Sequence, residues 1–293
     1  MFRQKTGSVV CASCGSLVGV NDETCYTCGR RNPGLWGFGP VLRRLGNDFG
    51  FTTVIVYGCV GMYALSLLLT VITRGNIFGG GLFSILGPNQ AAIEALGAAG
   101  AVPVVLQGRW WTLLSAGWLH GGALHILFNV MWVRQLGPDV ADMYGGARMV
   151  IIYTIGSVCG FLLSSALPFS PIGIPFLRGA GWTLGASAPI FALLGALVHY
   201  GRRGGSRLVG SQALNYAITM GVFGLIVPGI DNAAHLGGFA GGFLASMWLD
   251  PLKPERMDHF IIAAVCLAAT LLAVLASVVL ALPFLKYYML GGA

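Results

Sequence analysis

Three short stretches and four cysteines in this chain carry residues that could do chemistry. Ser187 stands in GASAPIF, residues 185–191, at the head of an apolar run that closes on His199, Arg202 and Arg203. His235 stands in AAHLGGFAGGF, residues 233–243, and His120, His125 and Asn129 stand in HGGALHILFN, residues 120–129. A serine hydroxyl is a weak nucleophile until a neighbouring base takes its proton, and histidine is the commonest such base. Side-chain N–H donors held at one depth suit an oxyanion. Cys11, Cys14, Cys25 and Cys28 form two C-x-x-C pairs separated by ten residues, each followed by a glycine, Gly15 or Gly29. That spacing lets two tight turns put four thiolates on one zinc ion.

The elements that must position these groups are membrane helices. The chain is 56% hydrophobic and 9% charged, with mean hydropathy +0.77. A soluble domain is about 25% charged. The net charge of +7 is not massed on one stretch, so no nucleic-acid partner is expected. The lipid bilayer is the partner that composition names. No basic region leads directly into an apolar core near Met1, so no secretory signal peptide is expected. Apolar runs of about 20 residues predict spans. They fall at Phe51–Thr73, Leu119–Val133, Met149–Pro168, Ser187–Tyr200, Val209–Pro228, Asn232–Leu249 and Phe260–Phe284. Gly75–Gly108 is too broken for a span and reads as a loop partly embedded at the membrane surface, with a weakly amphipathic patch around Gln90–Gly97.

With a cytoplasmic N-terminus, only Arg74, Arg109, Arg178 and Lys286 of the 17 Lys and Arg residues lie outside. That distribution satisfies the positive-inside rule. It also puts Trp110, Trp111, Trp118 and Trp182 near the outer interface. The expected organisation is a metal-binding module over 1–34, a linker over 35–50, a six-helix membrane domain over 51–252, and a loop with a seventh helix over 253–293. The linker stretch GLWGFGPVLRRLGNDFG reads equally as a membrane-surface segment or a flexible tether.

Ionisable groups inside spans are expensive, which makes each a functional candidate. His125 and Asn129 are four apart and share a helix face. They suit an oxyanion or interhelical hydrogen bonding. Ser187 alone reads as a packing residue or a helix cap. It is not a G-x-S-x-G elbow, because Pro189 holds the fifth position. Pro189 fits the first turn of a helix starting near Ser187, where free backbone N–H groups also suit an oxyanion. His235, Gly238 and Gly242 share one face, with overlapping G-x-x-x-G pairs at Gly237/Gly241 and Gly238/Gly242. Ala188, Ala192 and Ala196, with Gly195 beside them, offer a matching small face. Packing the two faces brings His235 beside Ser187. Asp231, four residues before His235, reads as a cap in preference to a third acid.

Four cysteines on one ion describe a structural and not a catalytic site. The alternative of two disulfides is disfavoured in a reducing cytoplasm. The module resembles a zinc ribbon and is expected to bind either a cytoplasmic partner or the start of the membrane domain. Cys59, Cys159 and Cys266 read as small buried hydrophobes.

Over roughly Phe51–Asp250 the chain resembles the rhomboid family of intramembrane serine proteases. The carriers are HGGALHILFN, GASAPIFALLGA and AAHLGGFAGGF, in that order. The resemblance implies an all-α polytopic membrane protein with a six-helix core, the seventh segment being an extra C-terminal helix. It implies Ser187 as nucleophile, His235 as general base, and His125, Asn129 and the Ser187 N–H as oxyanion hole. His120 has a supporting structural role, and no cofactor is needed for catalysis. Substrates would be transmembrane proteins, and the setting a bacterial plasma membrane. The chain departs from the family pattern at Ala188 and Ala192, where glycine is usual. Phe191 replaces a tyrosine against the histidine ring, and Trp111-Thr112 replaces Trp-Arg. The rival reading is a rhomboid-like pseudoprotease that binds membrane clients without cutting them.

Overall fold

The computed structural model describes residues 3–43, 46, 48–73, 75–78, 85–171 and 177–289. Arg44 and Arg74 of the charge distribution, and residues 79–84 of the long loop, lie outside these. The chain opens with an antiparallel hairpin, β1 (Ser8–Val10) on β2 (Leu17–Gly19), in register Val9↔Val18. Val9, Val18 and Val20 pack with Cys11 and Cys25 into a small separate core. A short α1 (Gly39–Arg43) leads toward the bundle.

The bundle is all-helical: α2 (Phe51–Ile72), α3 (Gln90–Ala95), α4 (Thr112–Ser115), α5 (Ala123–Tyr144), α6 (Gly146–Ala166), α7 (Ser187–Arg203), α8 (Arg207–Ile226), α9 (Asn232–Trp248) and α10 (Met257–Met289). α2, α6, α8 and α10 are long and apolar enough to cross a membrane. α7 and α9 have 17 residues each, about 25 Å at 1.5 Å per residue, short of a hydrocarbon core of about 30 Å. Shortness is tolerable for α7 because neighbours enclose it, and every residue from Ala188 to His199 is buried. α7 closes on Arg202, Arg203 and a left-handed Gly204, which suit the negative end of the helix.

The second span differs from expectation at both ends. Leu119 is extended and Gly121-Gly122 breaks the backbone, so α5 starts at Ala123 and leaves His120 in the preceding loop. At the other end, Val133, Leu136, Gly137, Val140, Ala141 and Tyr144 continue one buried stripe past Arg134. The helix therefore runs on to Tyr144 with Pro138 inside it. α10 also outruns its expected ends, beginning at Met257 and reaching Met289.

The loop before α5 is built around the approach to Ser187. Asn89 caps α3 by accepting from Ala92 N at 2.9 Å. Ala99 and Thr183 exchange backbone hydrogen bonds at 2.9 and 2.8 Å, and Gly185 N donates to Ala116 O at 3.0 Å. Residues 180–185 are thus held against the loop just before the chain enters α7.

Candidate active site

α7 and α9 touch backbone to backbone. A Cβ on Gly238 would lie 2.1 Å from Ala188 O, and one on Gly242 would lie 2.1 Å from Ala192 O. The small face at Ala188 and Ala192 meets its partner as the spacing requires, and α6 closes the third side through Gly160 against Ala188 and Ala234. Asp231 caps α9 by accepting from Ala234 N at 3.0 Å, and its second oxygen accepts from Ser164 Oγ. With both carboxylate oxygens engaged there, His235 Nδ1 is buried without a hydrogen-bond partner among the described residues. Asp231 is a cap here, not an imidazole orienter.

What holds the imidazole is Phe191. The two rings stack at 4.2 Å between centroids and 11° between planes. Phe191 is one helical turn beyond Ser187, on the same face of α7. The stack therefore sets the His235 ring over the face that carries Ser187. Ser187 is the first residue of α7, the cap position belongs to Ala186, and no side chain makes a capping bond there. The expectation that Ser187 caps its helix is therefore corrected, and its hydroxyl is left for other work. The first turn of any helix leaves N–H groups without helical acceptors, and Pro189 has none to offer. Ile190 N donates to Ala186 O, and among the described residues no acceptor outside the helix takes the Ser187 or Ala188 N–H.

His125 comes to the same place from α5. Its Nδ1 accepts from Gly121 N at 3.2 Å, so in the neutral ring Nε2 carries the proton. That N–H faces Gly185, where an added Cβ would lie 2.7 Å from His125 Nε2 and 3.7 Å from Ser187 Oγ. Gly185 has φ +126°, a backbone that only glycine adopts readily. The position two before the serine is thus glycine for two reasons, a role that sequence reasoning did not assign. Asn129 is buried one turn along α5 and spends one amide hydrogen on His125 O at 2.9 Å, leaving its second. His120 is fully buried and meets the His125 ring edge-on at 5.1 Å.

The Trp111-Thr112 departure has a local substitute. Arg109 Nη2 donates to Glu94 O at 3.0 Å and Thr112 Oγ1 to Arg109 O at 2.8 Å. Trp111 Nε1 donates to Ser277 Oγ on α10 at 3.1 Å, a tie that sequence reasoning could not find.

In the N-terminal module the sulfurs of Cys11, Cys14, Cys25 and Cys28 lie within 4.8 Å of one another. Cys11 Sγ is 3.8 Å from Cys28 Sγ, and Cys14 Sγ is 3.6 Å from Cys25 Sγ. A tetrahedral zinc–thiolate site with bonds of about 2.3 Å spaces its sulfurs about 3.8 Å apart. The four residues fit a metal ion.

These features define a polytopic helical membrane protein in which α7 and α9 pack backbone to backbone, with the His235 ring stacked on Phe191 and the His125 ring against Gly185. Residues 107–252 match the Rhomboid domain. The chain is 31% identical over 173 residues to RHOMBOID-like protein 7 of Arabidopsis thaliana, covering 56% of this chain and 51% of that one. It is 34% identical over 181 residues to Rhomboid protease GluP of Bacillus subtilis (strain 168), covering 60% and 34%. It is 30% identical over 215 residues to RHOMBOID-like protein 5 of Arabidopsis thaliana, covering 70% and 64%. The match thus spans half of the first relative and a third of the second. This chain belongs to the rhomboid family.

Proposed function

We propose that this chain is an intramembrane serine endopeptidase that cuts transmembrane segments of other membrane proteins. Ser187 Oγ attacks the peptide carbonyl while His235 takes its proton, then returns it to the leaving amine. His125 Nε2–H, the free Asn129 amide hydrogen and the Ser187 N–H receive the oxyanion. Water then hydrolyses the acyl-enzyme by the same proton route. The observation that carries this reading is the Phe191–His235 stack one turn above Ser187, with the His125 N–H facing the same spot across Gly185. A phenyl ring serves here without a tyrosine hydroxyl. Ala188 and Ala192 fit because the close approach is made by glycines on α9 and by the α7 backbone.

A spanning helix hides its carbonyls in internal hydrogen bonds, so a substrate must unwind locally before cleavage. Helix-weakening residues near the cut are expected. His235 must be neutral to act as base, so the rate falls toward acid pH. The four cysteines hold structural zinc, and the N-terminus lies on the cytoplasmic side of the bilayer. The test is cleavage of a transmembrane reporter by reconstituted wild type, Ser187→Ala and His235→Ala. Binding of clients without cleavage by wild type would favour the pseudoprotease reading instead.

A further inference from the structure

The zinc-ribbon-like module is not a bead on a tether. Its two cysteine knuckles press onto residues 250–260, the connection between α9 and α10 together with the first turn of α10, at the end of the bundle away from Ser187. Ser13 lies inside the first C-x-x-C knuckle, and its Oγ donates to Glu255 O at 2.5 Å. Arg30 lies two residues past the second knuckle, and its Nη1 donates to Ser13 Oγ at 2.8 Å. The Arg30 guanidinium sits 4.4 Å from the centre of the Phe260 ring at the start of α10. Glu255 is 95% buried and in turn accepts from Arg148 N at 2.9 Å, at the first turn of α6. Arg148 Nη2 donates to Lys253 O at 2.7 Å and Nη1 to Asp250 O. One polar chain therefore runs from the metal knuckles through Glu255 to α6 and back to the α9–α10 connection.

Burial makes this contact sensitive. Arg30 is 96% buried, yet Nε and Nη2 find no hydrogen-bond partner among the described residues. Its charge is compensated by the Ser13 bond, the Phe260 face and the nearby Glu255 carboxylate. A buried charge stripped of partners is strongly destabilising. Both docking residues are also covalently within two residues of a metal ligand: Ser13 of Cys11 and Cys14, Arg30 of Cys28. Arg30 O further accepts from Cys25 N at 2.8 Å. A small module with so little core needs its metal to stay folded. Loss of the ion therefore cannot leave Ser13 and Arg30 where the connection needs them.

We propose that the metal-loaded module is an intramolecular latch whose knuckle face is an interaction surface for the chain's own α9–α10 connection, a coupling that rests on reading the four cysteines as a metal site. Metal occupancy then sets the order of residues 250–260. α9 and α10 both run from the latch toward the level of the site, one to His235 and the other to Ser277 beside Trp111. The knuckle face is occupied by this contact and is closed to other partners while the latch holds.

The test is hydrogen–deuterium exchange on the full chain in nanodiscs, with zinc content measured alongside. Stripping the ion with EDTA is expected to speed exchange in 250–260 about tenfold or more, with protection restored by added zinc. Ser13→Ala and Arg30→Lys should speed the same peptide while still binding one zinc. Lys5→Ala, exposed and outside both knuckles, should change neither. If EDTA opens only 8–31 and leaves 250–260 as protected as before, the latch is overturned. If wild type holds no metal, the metal coupling fails, and the Ser13→Ala arm alone decides whether the module docks. Unchanged exchange in that variant would overturn the docking as well.

Discussion

Gly238→Ala is the substitution whose outcome follows most directly from the packing. The added Cβ would stand 2.1 Å from Ala188 O, and ordinary contact begins at 3.4 Å. α9 must therefore retreat from α7 by about 1.3 Å, or Ala188 must give by as much. The clashing atoms are the Ala188 carbonyl and Cα, so no rotamer change relieves them, and Ala188→Gly in the same chain does not rescue. Gly238 is three residues from His235, so the retreat would be taken up between the imidazole and Ser187, the pair that the proposed mechanism needs together. A misplacement of about 1 Å at a reacting pair costs about 100-fold in rate, or about 2.7 kcal/mol. Helix propensity works the other way, favouring alanine by about 1 kcal/mol. Any loss must then come from the contact. Gly221→Ala on α8 is the control, because a Cβ there meets nothing within 4 Å. The assay is the initial rate of reporter cleavage in proteoliposomes, with thermal stability read on the same preparations. A folded Gly238→Ala protein cutting at the wild-type rate would refute the reasoning.

His125→Ala should lower kcat about 100- to 1,000-fold with little change in substrate affinity, as expected for a lost oxyanion donor. Equal effects on both parameters would move His125 to a binding role. Asp231→Ala removes the α9 cap and the partner of Ser164 Oγ. It should cost about 1 kcal/mol of stability and leave cleavage within about tenfold. A loss near 10,000-fold, the size seen when a triad acid is neutralised, would instead make Asp231 catalytic. Metal analysis of purified protein should give one zinc per chain, retained at neutral pH and released on acidification as the thiolates protonate. Cys25→Ser should release it at neutral pH, and metal held equally well by that variant would argue against the four-cysteine site.

The parts of the fold legible in the sequence were those written in short-range spacing. The small residues of α7 and α9 predict a backbone-close helix pair, and Gly238 and Gly242 meet Ala188 and Ala192 in that way. The two C-x-x-C pairs predict a four-cysteine cluster, and the four sulfurs lie within 4.8 Å of one another. What stayed hidden depended on backbone breaks or on distant partners. Gly121-Gly122 reads as ordinary small residues inside an apolar run, so the pattern puts His120 on a helix that in fact begins at Ala123. Arg134 and Pro138 look like a helix end, and only burial of Leu136, Val140 and Tyr144 by neighbouring helices carries α5 past them. Ser13 meets Glu255 across 242 residues and Trp111 meets Ser277 across 166, contacts that no local pattern encodes. Gly185 could have been read, since a glycine two before a candidate nucleophile invites the question of what approaches it.

The central claim is that Ser187 and His235 act together on a peptide carbonyl. It is tested most directly by reconstituting wild type, Ser187→Ala and His235→Ala with a transmembrane reporter and measuring fragment release at matched protein levels. The account predicts cleavage by wild type and loss to background in both variants, with all three folded and binding zinc alike. Cleavage persisting in either variant at the wild-type rate would contradict it.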